Sequence, residues 1–230
     1  MRRFWKSVKV DEVDDGFAVA LDARRIKTPA RSDLVVPHCA LAEAIAAEWR
    51  DCGETVDPRN MPLTGLANAA IDRIRLAKEE FAAGIARYGE GDLLCYRVDG
   101  PEPLIRLQQE SWDALLTWAR RRYDVDFATC TGVIHVDQPV GTVRKLGHAV
   151  ASLDDFRLAG LATLVTIGGS LIAGLAVLEQ MMPAEAAWDA VSLDDRWQLE
   201  QWGDDAEARQ ALDARRRDFL AAARFLELLN

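Results

Sequence analysis

From Leu158 to Leu178 the chain runs 21 residues without a charged side chain, and this stretch most limits what the molecule can become. Such a run is compatible with a membrane span, with the central helix of a soluble bundle, or with two shorter helices broken at Gly168 and Gly169. Its local chemistry favours the broken pair. The centre holds Thr163, Thr166, Gly168, Gly169 and Ser170, no aromatic belt flanks it, and Arg157 and Glu179 close it at either end. Gly168-Gly169 suits a helix stop and Ser170 an N-cap, so two buried helices are expected. Small residues at Gly169, Ala173, Ser170 and Gly174 would let neighbouring helices approach closely.

The chain ahead of this block changes character once. Between Phe4 and Pro37, Trp5, Val8 and Val10 precede Asp14-Asp15-Gly16, and Phe17, Val19 and Leu21 follow in alternation, which predicts a hairpin with glycine in its turn. A second turn falls between Leu21 and Thr28, and Leu34 to Val36 reads as a fourth short strand. Leu41, Ile45 and Trp49 then recur at helical spacing up to Gly53, giving a helix able to cover the sheet. After a proline loop from Asp57 to Pro62, a helix from Leu63 to Ile74 carries Leu66, Ala70 and Ile74 on one face. Beyond Arg75 nearly everything reads as helix. The expected fold is α+β: a small β-rich domain over residues 1–75 with its covering helix, then a mainly helical bundle over residues 76–230.

Within the bundle, Pro103 to Tyr123 shows a broad apolar face of Leu104, Leu107, Trp112, Leu115, Leu116 and Trp118. Pro183 suits the first turn of a helix running to Val191. Ser192 with Asp195 has the spacing of a capping box for a helix from Leu193 to Trp202, stopped by Gly203. Asp204 and Glu207 repeat that spacing before a last helix whose stripe is Leu212, Phe219, Ala222, Leu226 and Leu229. The acid pairs Asp154-Asp155, Asp194-Asp195 and Asp204-Asp205 all stand at helix starts, where they complement the dipole.

Charge and motif inventory exclude several classes of function. Lys and Arg total 28 against 37 for Asp and Glu, and a net charge of -9 opposes broad binding to nucleic-acid phosphates or anionic lipid. Cys39, Cys52, Cys95 and Cys130 form no C-x-x-C pair, and His38, His135 and His148 are scattered, so neither a metal site nor a cofactor site is expected. Ile172 stands where a nucleophile elbow needs its last glycine, and Gly89 and Gly91 lack the rest of a phosphate loop. The start of the chain has no apolar export signal, which fits a reducing cytosol. No residue is assigned to catalysis.

One acid stands out. Helical stepping places Glu200 between Leu193 and Trp197, with Arg196 one turn back and able to pair with it, while Trp202 points the other way. The geometry admits a half-buried ion pair that fixes the helix, or a carboxylate held out to a basic group of a partner. An uncharacterised hydrolase or transferase using Glu200 with Glu110 or His135 is the alternative, and a membrane-anchored adaptor using Leu158 to Leu178 a third.

Several segments together resemble a known family. RRFWKSV, IKTPAR, AEAIAAEWRDCGETVDPRNMPLTGLANAAIDRI, QQESWDALLTWA, the apolar block and WQLEQWGDDAEA stand in the order found in the ATP synthase F(1) assembly chaperones of the Atp-twelve type, also called assembly factor two. Ala114 departs from the more usual W-D-P. The resemblance implies a non-enzymatic chaperone that binds the free alpha subunit and shields the surface later covered by the beta subunit. It implies no cofactor and no membrane insertion, and the absence of a mitochondrial transit segment resembles a bacterial, cytoplasmic member, monomeric when free. Carried over from the family's W-G motif, the expected partner contacts are Glu200, Trp197, Arg196, Trp202 and Gly203.

Overall fold

The computed structural model describes residues 2–132, 134–203 and 205–230, without the side chain of Trp202. The fold is α+β, in two compact units. The first comprises Met1–Lys78 together with Asp154–Gly160 and Arg224–Asn230; the second comprises Glu79–Leu153 and Leu161–Ala223.

In the first unit, β2 (Gly16–Leu21) is the centre of a small antiparallel sheet, with β1 (Val8–Val13), β3 (Arg24–Arg25) and β4 (Val35–Val36) all pairing to it. Val13 pairs with Gly16, so the turn is Asp14-Asp15 alone and the glycine lies in the strand rather than in the turn. Its φ is +139°, and a Cβ there would stand 2.4 Å from the carbonyl oxygen of Val36. Glycine is therefore required by the close approach of β4, as well as by its own backbone. Ahead of β1, Asp22 accepts hydrogen bonds from the backbone N–H groups of Lys6 (3.0 Å) and Ser7 (2.9 Å), pinning the entering chain to the second turn. Trp5 belongs to this entering segment and not to a strand.

Helix α1 (Cys39–Asp51) lays Leu41, Ala42, Ile45, Ala46 and Trp49 against β1 and β2. Helix α2 (Pro62–Ala69) continues into a wider π turn over Ala70–Ile74. That turn brings both Ala70 and Ile71 inside with Ile74, Ala67 and Leu63, and leaves Leu66 only half-buried, so the inward face differs from the Leu66, Ala70, Ile74 stripe. The late segments of this unit are tied by Phe156 stacked on Phe225 at 6.4 Å and by Arg157 donating to the Leu229 carbonyl at 2.7 Å.

The second unit is helical apart from a short parallel pair, β5 (Tyr96–Arg97) with β6 (Cys130–Thr131). Its helices are α3 (Lys78–Ala86), α4 (Glu102–Tyr123), α5 (Val140–Ala151), α6 (Asp155–Gly168), α7 (Leu171–Leu178), α8 (Ala184–Val191), α9 (Leu193–Trp202) and α10 (Ala206–Glu227), with α6 and α10 each contributing one end to the first unit. Helix α4 packs against α7, α8 and α9. Its Trp112 is fully buried and donates its indole N–H to the Ala190 carbonyl at 2.8 Å.

The apolar block is two helices. Gly169, at φ +69°, ends α6, and the Ser170 hydroxyl accepts from the Ala173 N–H at 3.0 Å to start α7. Asp92, fully buried, reinforces that start by accepting from the Ile172 N–H (3.0 Å), and also accepts from the Leu94 N–H (3.1 Å) in its own segment. Among the described residues no helix is long and apolar enough to cross a membrane.

The acid pairs divide. Asp154 accepts from the Arg157 N–H at 2.8 Å and Asp205 from the Glu207 N–H at 2.9 Å, so both cap helices. Asp194 and Asp195 do not. Ser192 is nearly helical, at φ −98° and ψ 9°, so α8 runs almost directly into α9 and no capping box forms. The Ser192 hydroxyl donates back to the Trp188 carbonyl at 2.7 Å, and Asp195 pairs with Arg215. Asp204, expected to cap α10, lies outside the described residues; its neighbour Asp205 takes that position.

Candidate functional site

The segments that carry the resemblance differ sharply in what their side chains do. In the first unit, the Glu48 carboxylate accepts from Leu63 N–H (2.7 Å), Thr64 N–H (2.9 Å) and the Thr64 hydroxyl (2.7 Å), joining E-W to M-P-L-T and capping α2 from another helix. Burial pushes the Glu48 carboxyl up, and these three bonds pull it back. Asp72 accepts from the Thr28 hydroxyl (2.6 Å) and the Ala30 N–H (2.9 Å), joining A-I-D-R to K-T-P-A-R. Trp5 sits edge-on to Trp49 at 5.2 Å. These residues build the unit.

In the second unit, the Gln108 amide accepts from Val98 N–H (3.0 Å) and donates to Asp194 (2.9 Å), fixing α4 to β5 and to the start of α9. Burial holds the Asp194 carboxyl above its ordinary range, against the lowering effect of Gln108. Gln108, Trp112 and Asp194 are thus structural.

The last segment is different. Glu200 is exposed and makes no hydrogen bond or ion pair among the described residues. The expected pair with Arg196 does not form. Arg196 turns back along the chain to α8, with one guanidinium nitrogen 2.8 Å from the Asp189 carbonyl and another 3.6 Å from the Asp189 carboxylate. Its Nε is buried without a partner. Trp197 is half-buried, Gln198 is exposed, and Gly203, at φ +99°, stops the helix. The expected contact of the Trp202 side chain lies outside the described residues.

Beside this helix runs a groove of about 480 Å³, lined by Leu199, Ala208, Ala211 and Leu212, with Gln198 and the Asp195–Arg215 pair. Arg215 anchors it, bonded to Asp195 at 2.7 Å and to the Ile167 carbonyl at 3.1 Å. The apolar trough, edged by the Asp195–Arg215 pair, is equipped to hold an apolar side chain, while Glu200 projects from a different face of α9. Of the five expected contacts, Gly203 lines the groove, Glu200 is exposed on another face of α9, and Arg196 is engaged with Asp189 of α8. Sequence reasoning gave no role to Leu199 or Arg215 and placed Leu212 on the apolar stripe of the last helix; both leucines are half-buried and line the groove instead.

The acids and histidine weighed for catalysis are not joined. Glu110 on α4 and His135 in the loop after β6 are exposed, and neither bonds to Glu200. His135 lies instead between the Tyr96 hydroxyl (3.0 Å) and Asp137 (3.2 Å). Among the described residues no three His, Cys, Asp or Glu side chains are grouped to hold a metal ion.

Comparison with known proteins sets this surface in context. Residues 2–120 match the family model described as ATP12 chaperone protein. The chain belongs to the ATP12 chaperone family. The solved structure of Atp12 from Paracoccus denitrificans is 42% identical, superimposes with a TM-score of 0.94, and the match covers 100% of this chain and 98% of that one. Atu1473, a candidate chaperone of Agrobacterium tumefaciens, is 37% identical with the same TM-score, covering 100% and 86%. The mitochondrial protein atp12 of Schizosaccharomyces pombe is 27% identical over 216 residues, 88% of this chain and 74% of that protein. The ATP12 family model ends on α4, before α9 and its groove, while the structural matches run through both.

Proposed function

We propose that this ATP12 family member is an assembly chaperone of the ATP synthase F(1) sector. In this reading it binds the free alpha subunit in the cytoplasm and shields its beta-subunit interface until the hexamer forms, without catalysing a reaction. The observation that carries the reading is likeness to Atp12 over the whole chain, at 42% identity and a TM-score of 0.94. The surface of α9 and α10 supports it. Helix α9 carries an exposed Glu200 without a partner on one face and lines an apolar groove with another, whereas the polar residues Glu48, Asp72 and Gln108 are bonded inside their units. An exposed, unbonded carboxylate contributes little to folding, so its substitution separates binding from stability.

Co-expression with each F(1) subunit in turn, followed by purification of what the chain retains, tests the partner. The alpha subunit is expected to be retained and the beta subunit not. Glu200→Lys is expected to leave the thermal midpoint within a degree or two, a change of about 0.5 kcal/mol or less, while reducing alpha-subunit retention at least about tenfold. Full retention by a folded Glu200→Lys chain removes α9 from the contact surface.

A further inference from the structure

A second concave surface lies in the same unit, away from the residues already assigned to partner contact. One face of α4 opens into a groove of about 660 Å³ lined by Asp113, Ala114, Thr117, Trp118, Arg121 and Arg122. The same S-W-D-A-L-L-T-W segment holds two tryptophans with opposite fates. Trp112 is sealed in the core and bonded to the Ala190 carbonyl. Trp118 is half-buried, rests edge-on against Tyr123 at 5.7 Å, and its indole N–H makes no hydrogen bond among the described residues. That N–H is open to solvent.

The charges around the groove are unevenly matched. Asp113 is held by Arg97 at 2.7 Å, Arg120 by Asp126 at 2.9 Å, and Arg122 by Glu179, whose other oxygen accepts from the Tyr123 hydroxyl at 2.6 Å. Arg121 is exposed and has no partner among the described residues. The groove therefore presents an indole ring and N–H, an unpaired guanidinium three residues further along the helix, and the small exposed side chains of Ala114 and Thr117. Tryptophan and arginine in a concavity are the side chains that most often dominate binding energy. A guanidinium and an indole N–H can only donate, so the complementary group is an acceptor that bears negative charge.

We infer that this face of α4 docks an acidic segment of the alpha subunit, an aliphatic or aromatic side chain resting on Trp118 and a neighbouring carboxylate bonding Arg121. The inference rests on the alpha subunit being the client. It adds a cation-bearing contact of opposite polarity to Glu200, so the client segment that meets α4 differs in charge from the one that meets α9.

Affinity of the purified full chain for isolated alpha subunit, measured at two salt concentrations, tests it. Arg121→Glu is expected to weaken binding at least about tenfold and to flatten its salt dependence. Trp118→Phe keeps the aromatic surface but removes the donor, and should weaken binding less than Trp118→Ala. Arg24→Glu, an exposed residue of β3 with the same change in net charge, should bind as the parent chain does. Circular dichroism and thermal midpoints identify any variant that is unfolded rather than impaired. Parent binding shared undiminished by folded Arg121→Glu and Trp118→Ala overturns the α4 contact and leaves the alpha-subunit reading standing. No binding by the parent chain overturns both.

Discussion

At the scale of residues, three carboxylates show how one chemistry serves two purposes. Glu48 and Asp92 are caps supplied from a distance, each satisfying N–H groups at the start of a helix to which it does not belong. Glu48→Ala leaves two N–H groups and a hydroxyl at α2 without their acceptor, and is expected to cost about 1–3 kcal/mol, read from the denaturant midpoint at unchanged slope. Asp92 adds a dependence on pH. Burial pushes its carboxyl up to about 6, against the lowering effect of the bonds from Ile172, Ser170 and Leu94. The folded chain therefore keeps a proton that the unfolded chain has already released. Stability from this group is complete below 3.8 and is lost as pH rises through about 6. Asp92→Asn cannot titrate, so urea midpoints should show the parent's advantage over the variant shrinking across that window and level above it. A difference that stays constant with pH would contradict this account of the site. Neither cap was readable from spacing, because Glu48 reaches 15 residues along the chain and Asp92 reaches 80. The Ser170 cap was readable because it acts three residues away. Glu200 is the third carboxylate, and it is unbonded. Helical stepping could place it on α9 but could not show that Arg196 would be drawn to Asp189 instead.

At the scale of elements, the sequence pattern works where burial is periodic and local. The β1–β2 hairpin, α1 and the break in the apolar block at Gly168-Gly169 all follow from alternation, helical spacing or glycine. The pattern fails where geometry is imposed by a distant neighbour. Two-residue β5 and β6 are too short to alternate and pair across more than 30 residues, and the π turn of Ala70–Ile74 shifts the inward face away from Leu66. Gly16 is instructive because its sequence context suggested a turn, whereas what excludes a side chain is the carbonyl of Val36 on β4. Gly16→Ala would combine a positive φ with a Cβ at 2.4 Å from backbone. It is expected to destabilise the first unit by at least about 2 kcal/mol, with loss of protection from hydrogen exchange at Phe17 and Ala18, the β2 residues that face β4. Wild-type exchange at those two amides would contradict the assigned role of glycine.

At the scale of the whole molecule, structure and function separate along the chain. Trp5, Glu48, Asp72, Gln108 and Trp112, all from segments that carry the family likeness, hold their units together. The likeness in sequence therefore spoke clearly about fold and only indirectly about contact. Among the groups left without partners are Arg121 of α4, three residues after the half-buried Trp118, and the exposed Glu200 of α9. That distribution suits a protein whose work is to cover another surface. The central claim is that this chain shields the free alpha subunit. Light scattering of isolated alpha subunit, diluted from denaturant without nucleotide and with increasing amounts of the purified chain, tests it most directly. The account predicts that scattering falls to a minimum near equimolar chain and that the two proteins then elute together; undiminished aggregation at several-fold excess of folded chain would contradict it.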